Sequence, residues 1–351
     1  MTAVESRAER ALRESKAGFN CAVAVLSAFA EEHGLSLNQA RQVAGAFGGG
    51  MGRSGAGPCG AASGGLMALG LIYGKTDGAD IDASNRCYAE SRSFLDAFKT
   101  RCGALSCRDL LGFDVGLPDQ YEAASEAGAF ANRCPHFIKA AIELVEARSE
   151  MQYFDQAAAT WDYEERRVTL AHAVVEAIAS RVALSKEQDV LDFGCGTGLV
   201  TLELASRVRS ITGADTSPGM LKTLKEKATH QGVTVPLISL DTEKAGSLGG
   251  PYDLIVSSMT LHHIAEVPAL FAQFMQHLHP GGQIALADLD EEDGDFHDAT
   301  MSIHHQGFPR EQIRTWLQDA GFQEVQLETA TVTKKNGKDY PVFLATARKK
   351  A

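Results

Sequence analysis

Residues 189–198 read Asp-Val-Leu-Asp-Phe-Gly-Cys-Gly-Thr-Gly. Val190 and Leu191 form the apolar heart of a buried strand. Gly194, Gly196 and Gly198 form a turn in which no Cβ keeps the backbone away from a ligand. Residues 199–205 then carry apolar residues at helical spacing, so the turn opens onto a helix N-terminus. That is where a nucleotide-like ligand sits beside a parallel sheet. A glycine triplet alone is a weak signal, and two later strands strengthen it. Residues 210–215 end in Asp215, placed to take two ribose hydroxyls; residues 235–241 end in Asp241, placed to face an adenine amino group. A nicotinamide-binding site is disfavoured. The glycines are spaced G-x-G-x-G rather than G-x-G-x-x-G, and an acid, Asp192, precedes them within the strand.

Four stretches follow one another in order: residues 192–198; 213–217, Gly-Ala-Asp-Thr-Ser; 252–263, Tyr-Asp-Leu-Ile-Val-Ser-Ser-Met-Thr-Leu-His-His; and 280–288, Pro-Gly-Gly-Gln-Ile-Ala-Leu-Ala-Asp. Together they resemble the class I S-adenosylmethionine-dependent methyltransferases over residues 150–350. The resemblance implies a Rossmann-like seven-stranded sheet and S-adenosylmethionine as cofactor. Asp192, Gly194, Gly196 and Gly198 would hold its methionine end, Asp215 its ribose, and Asp241 with Thr242 its adenine. Ser257 joins this set by position, at the carboxyl end of the fourth strand, where open α/β sheets place ligands. On the substrate side stand His262, His263, Asp288, Asp290, His304 and His305. The resemblance implies that one of the adjacent His262 and His263 packs under the cofactor. His304 and His305, in a loop near Asp288 and His297, suit a general base, a metal ligand or a solvated loop. Adjacent histidines lack the i, i+4 spacing of a helical zinc pair.

Six of the seven cysteines precede residue 135. In a reducing compartment such a cluster points to metal or redox chemistry more than to structural disulfides. Cys21 follows an N-cap Asn, Cys107 follows an N-cap Ser, Cys59 precedes the helix at 60–73, and Cys134 precedes a Pro expected at the first helical position. Each of the four would sit where the helix dipole favours a thiolate; as small buried hydrophobes they would need no such role. Cys87, Cys102 and Cys195 read as packing residues, although Cys102, five residues before Cys107, is also placed for a local resolving-thiol role. Cys21, the segment 59–64 (Cys-Gly-Ala-Ala-Ser-Gly), Cys107 and Cys134-Pro resemble the redox-active family named for its C_GCAxxG_C_C pattern, over residues 10–147. The resemblance implies that these four cysteines hold an iron–sulfur cluster or other metal, or cycle as disulfides. The loop at 48–60 carries so many glycines that it reads as backbone wrapping close to something. The helix at 61–73 reads as the central buried one.

The expected architecture is therefore α/β, with an all-α cysteine-rich domain at 1–148 and a Rossmann-like methyltransferase domain at 149–351. Residues 151–162 carry Tyr153, Phe154 and Trp161, which either fold over the ligand or staple the two domains. Residues 324–334 and 340–348 alternate apolar and polar, and Asn336-Gly337 between them makes a hairpin that closes the sheet. A net charge of -12 argues against wide nucleic-acid binding, and no apolar run reaches the roughly 18 residues of a membrane span. The expected function is methyl transfer to a small acceptor, with the thiols pointing to a soft one: a thiol, a metalloid or a metal-bound species. The alternative is a redox or metal sensor whose S-adenosylmethionine-binding domain is regulatory. A redox partner, self-association through the N-terminal domain and a cytoplasmic setting complete the expectation.

Overall fold

The computed structural model describes residues 5–240, 248–297 and 303–351; Asp241 and Thr242 lie outside the described residues. The chain divides into two compact units, Met1–Ser149 and Glu150–Ala351.

The first unit is helical, with α1 (Arg7–Lys16), α2 (Cys21–Ala30), α3 (Leu37–Ala44), α4 (Gly60–Tyr73), α5 (Ile81–Cys102), α6 (Cys107–Leu111), α7 (Pro118–Glu126) and the start of α8 (Ala129–Ala157). Asn20 caps α2 by accepting from the Ala22 and Val23 amides. Every residue of α2 after Cys21 is buried, so α2 is as central as the glycine-rich α4. The two pack through α4 glycines. A Cβ on Gly64 would lie 2.7 Å from the Ala22 carbonyl oxygen and one on Gly60 3.1 Å from the Ala22 amide nitrogen, while one on Gly65 would lie 2.3 Å from Phe94 of α5. The loop before α4 runs left-handed from Gly49 to Arg53, with φ of 58–79°. What it wraps is the unit itself: a Cβ on Gly48 would strike Asn20 at 2.5 Å, and one on Gly57 the Gly50 carbonyl at 2.5 Å.

Two boundaries differ from the sequence expectation of a helix that opens at Pro135 and ends near residue 150. The chain turns at Gly128 (φ 66°) and re-enters helix at once, so α8 begins at Ala129 and carries Pro135 inside it. Cys134 is therefore within a helix rather than before one. Residues 136–157 contain no Gly or Pro, so nothing stops α8 near residue 150, and it continues to Ala157.

The second unit alternates helix and strand: α9 (Glu165–Arg181), β1 (Asp189–Phe193), α10 (Leu199–Ala205), β2 (Ser210–Asp215), α11 (Pro218–His230), β3 (Leu237–Ser239), β4 (Tyr252–Ser258), α12 (Val267–His277), β5 (Leu278–Leu289), α13 (Arg310–Asp319), β6 (Gln323–Lys335) and β7 (Lys338–Arg348). The seven strands lie in the order β3-β2-β1-β4-β5-β7-β6, with β7 antiparallel to both neighbours. Asn336 (φ 51°) and Gly337 (φ 79°) form the two-residue turn between β6 and β7. Two apolar layers cover the sheet. One joins α12 and α13 to residues such as Leu191, Ile255 and Phe343; the other joins α9 and α10 to Val190, Val256 and Leu344. Strand order reverses between β1 and β4, the crevice where such sheets bind ligands. Among the described residues, no helix is long and apolar enough to cross a membrane.

Close helix packing at Gly64 predicts opposite outcomes for two similar changes. Gly64→Ala should destabilise the first unit by roughly 1–3 kcal/mol, through overpacking against α2. Gly70→Ala, whose Cβ would meet nothing within 4 Å, should stabilise it by about 0.5–1 kcal/mol. Urea unfolding monitored by far-UV dichroism checks both.

Candidate functional site

The glycine turn places three backbone positions in left-handed conformation, with φ of 73° at Gly194, 52° at Gly196 and 84° at Gly198. Their surroundings differ. A Cβ on Gly194 would strike the Thr260 side chain at 2.2 Å, and one on Gly198 would strike Leu224 at 2.2 Å. A Cβ on Gly196 would meet nothing within 4 Å. Gly194 and Gly198 thus close the turn against protein, while Gly196 faces open space.

Two acids flank that opening. Asp215, at the end of β2, accepts from the amides of Gly196 (2.8 Å) and Ser217 (2.9 Å). Burial pushes its carboxyl up against the pull of these amides. Asp192, in β1, is 1% exposed and accepts from the Thr201 hydroxyl at 2.6 Å. Burial drives its carboxyl up to about 7, with the Asp215 charge adding to the effect. Cys195 packs beneath the turn, close to Gly213, with its thiol pushed up by burial. Ser257 does not face the opening. It is 1% exposed and donates its hydroxyl to the Phe193 carbonyl at 2.8 Å, tying β4 to β1.

After β4 the chain passes through Met259, a non-glycine residue at φ 56°, into a 3-10 turn, Leu261–His263. Asp288 at the end of β5 organises this turn. Its carboxylate accepts from the Leu261 amide (2.8 Å), the Leu289 amide (2.7 Å) and His262 Nδ1 (2.7 Å). Burial alone would raise the Asp288 carboxyl; the His262 ring and the amides carry it below its ordinary value. Burial drives the His262 imidazole down, so the pair is a neutral ring donating to a carboxylate. Both side chains are enclosed and serve as supports for the turn. His304 and His305 support it as well, since both amides donate to the His262 carbonyl, at 3.0 and 3.2 Å. The His305 ring bonds the Ile264 carbonyl at 3.0 Å and packs on Phe308. Asp290 is held by Arg310 through bonds of 2.7 and 2.6 Å. Neither His305 nor Asp290 is left facing a substrate.

His263 is different. Its ring centroid lies 4.2 Å from that of His262, 5.9 Å from His297 and 5.4 Å from Phe154, and its Nδ1 contacts Glu150. Phe154 also stacks edge-on against Tyr153 and Trp161, and Arg167 lies 3.6 Å over the Trp161 ring. The aromatic segment expected either to fold over the ligand or to staple the two domains lines the His263 turn through Phe154. The carboxylates of this segment were not among the expected site residues. Asp155 accepts from the Ser217 hydroxyl (2.5 Å) and the Gly219 amide (2.7 Å), and Asp162 accepts from the Thr197 hydroxyl (2.5 Å) and pairs with Lys227. Three acids at spacings of five and seven were the available signal.

In the first unit the four motif cysteines converge. Cys21 hydrogen-bonds Cys134, and Cys59 and Cys107 lie within electrostatic reach. The Cys134 bond pushes the Cys21 thiol far up, with burial adding to it, and the same bond draws the Cys134 thiol down. Burial pushes Cys59 up to about 12 and Cys107 up to about 11. Helix N-termini therefore do not make these thiols acidic. Among the described residues, one group of three ligating side chains has donor atoms all within 4.8 Å of one another: His172, Glu176 and Glu203. Arg207 pairs with both of these glutamates, so the group is a surface ion-pair network.

Residues 162–327 match the family described as "Methyltransferase domain", and residues 19–148 match "Putative redox-active protein (C_GCAxxG_C_C)". An uncharacterized methyltransferase of Geobacillus kaustophilus is 32% identical over 158 residues, covering 44% of this chain and 71% of that protein. The chain belongs to the S-adenosylmethionine-dependent methyltransferases. The biotin biosynthesis bifunctional protein BioCD of Bordetella avium is 35% identical over 41% of this methyltransferase chain. Phosphoethanolamine N-methyltransferase 1 of Triticum aestivum is 30% identical over 43%. The chain spans 31% of the length of each of these two relatives. Among solved structures, phosphoethanolamine N-methyltransferase 2 of Haemonchus contortus, in complex with S-adenosyl-L-methionine, aligns with a TM-score of 0.43 and 16% identity, over 56% of this chain and 60% of its own.

The Asp192 environment predicts a pH effect. Its folded value lies above the ordinary 3.8, so its contribution to stability is full below about pH 4 and lost as pH rises through about 7. Asp192→Asn, which still accepts from Thr201, should lose less stability than wild type between pH 5 and pH 8. The gain at pH 8 should be at most about 4 kcal/mol, from ~1.4 kcal/mol per pK unit. Thermal melts across that range test it.

Proposed function

We propose that the second unit binds S-adenosylmethionine and transfers its methyl group to a small, soft acceptor: a thiol, a metalloid or a metal-bound species. The observation that carries this reading is the open face at Gly196, bounded by Asp215 and the buried Asp192. Asp192 and the glycines would take the methionine end, Asp215 the ribose hydroxyls, and Asp241 with Thr242 the adenine. A carboxyl raised to about 7, with no cation bonded to it among the described residues, suits a ligand ammonium. The bound cofactor supplies a methyl group activated on a sulfonium. The protein must hold the acceptor in line with that methyl. His263, Phe154 and Trp161 would line the acceptor side.

The first unit would serve this chemistry as a dithiol module. A single tetrahedral ion needs thiolates about 4 Å apart, since zinc–sulfur bonds are about 2.3 Å. No three of the cysteines meet the 4.8 Å separation, so the thiols as placed do not fit one ion. Cys21 and Cys134, in hydrogen-bond contact, suit a dithiol, which then requires a redox partner to return it. A reducing, cytoplasmic setting would keep the thiols reduced. The Cys21–Cys134 contact also favours a second reading, a redox sensor in which S-adenosylmethionine binding is regulatory.

Calorimetry with S-adenosylmethionine, followed by release of S-adenosylhomocysteine across thiols, selenite, tellurite and arsenite, tests the proposal. Binding that weakens at least tenfold in Asp215→Ala, and release driven by one acceptor class, are expected. Absence of binding would refute the cofactor assignment. Binding with no release from any soft acceptor would leave the sensor reading. Partial alkylation with iodoacetamide at pH 8 should label Cys134 before Cys21, Cys59 or Cys107, as mapped by mass spectrometry.

A further inference from the structure

We infer that Glu150 is a positioning residue for methyl transfer, holding His263 so that its Nε2 takes the proton that a protonated acceptor must lose. This rests on the methyl-transfer reading of the same site, and it narrows the acceptor to a nucleophile that carries a proton, such as a thiol.

Glu150 and His263 are in contact, with side chains only 15% and 14% exposed. Burying a carboxylate costs several kcal/mol unless something repays it. Anchoring the chain does not explain Glu150, because two other acids already do that. Asp155 binds the loop after β2, where a Cβ on Gly219 would lie 2.9 Å from the Asp155 backbone, and Asp162 binds Thr197 in the glycine turn. With both ends of residues 155–162 fixed, Glu150 is delivered to the turn after β4, at the sheet's switch point.

The neighbouring imidazoles cannot take the role. His262 is 1% exposed, and its Nδ1 proton is committed to Asp288. His297 is driven down to about 3 by burial, with His262 and His263 adding to the effect. Among the described residues, the groups facing His263 include Glu150 from α8, His262 from its own turn, and Asp288 and His297 from β5 and the segment after it. The Asp288 charge is already engaged by His262 and the amides, and Glu150 is a carboxylate in direct contact with His263 Nδ1, placed to answer a charge on that ring.

The step balances. As the acceptor atom attacks the methyl carbon, the carbon–sulfur bond breaks with its electron pair moving to sulfur, giving S-adenosylhomocysteine. The acceptor–hydrogen bond gives its proton to His263 Nε2. Glu150 offsets the imidazolium charge until water takes the proton.

Nitrogen-15 NMR of histidine-labelled full-length chain with S-adenosylhomocysteine tests this without an identified acceptor, His263→Asn providing the assignment. His263 should be in the Nδ1–H tautomer, and its titration midpoint should fall by about one unit or more in Glu150→Gln. Glu150→Asp should recover part of that shift, and S-adenosylhomocysteine affinity should be unchanged in both variants. An Nε2–H tautomer, or midpoints equal in wild type and Glu150→Gln, would overturn the inference. If Glu150→Gln does not fold, Glu150→Asp reads the same midpoint against wild type. If S-adenosylhomocysteine fails to bind wild type, the methyl-transfer reading fails, while the tautomer and midpoint still judge the Glu150 contact.

Discussion

Three carboxylates in or at the ends of parallel strands, two buried and one half-buried, set the terms for the second unit. Asp192, Asp215 and Asp288 sit in or at the ends of β1, β2 and β5. A carboxylate out of water is tolerated only when donors replace the solvent it has lost. Asp288 has main-chain amides and an imidazole, and its carboxyl stays below its ordinary value. Asp215 has two amides and is raised. Asp192 accepts from the Thr201 hydroxyl and rises to about 7. The deficit grows toward the glycine turn, where the sheet opens. A cationic ligand bound there, as proposed, would supply the charge that the protein does not, so burying Asp192 and holding such a ligand would draw on the same electrostatics.

The same accounting divides labour among chemically identical side chains. His262 and His263 are neighbours in sequence and differ only in what surrounds them. A 3-10 turn points one ring at Asp288 inside the sheet layer and the other toward Glu150 and Phe154. Met259, at φ 56°, is the backbone cost of that turn. His304 and His305 then act through their amides, which stitch the His262 carbonyl to the segment after β5.

What the sequence revealed follows from which interactions are local. The glycine turn, the Asn336-Gly337 hairpin and the Asn20 and Ser106 caps are each set by residues a few positions apart, and each stands where expected. The seven-stranded sheet was legible because its four motifs mark strand ends. The course of α8 was not. Pro135 is favoured in a first turn, but Gly128 supplies the break and the helix starts there. Ser257 illustrates the limit at the site. Its position at the end of β4 is right for a ligand contact, yet strand pairing turns its hydroxyl to Phe193. Glu150, Asp155 and Asp162 escaped notice because their partners lie 35 to 113 residues away, at His263, Ser217 and Thr197.

The cysteines show why a local rule can be correct and still lose. A helix N-terminus favours a thiolate by about 0.3–1 kcal/mol, less than one pK unit. Burial moves Cys59 from 9.0 to about 12, roughly 4 kcal/mol in the opposite direction. Cys21, Cys59 and Cys107 all stand at helix starts, and all three are raised. Cys134 stands inside a helix, and it alone of the four is lowered, because the Cys21 thiol donates to it. The thiol best suited to act as a nucleophile is therefore chosen by the convergence of two distant segments. Any chemistry at this cluster would depend on α2 and α8 keeping Cys21 against Cys134, and through Gly64 on the close approach of α4 to α2.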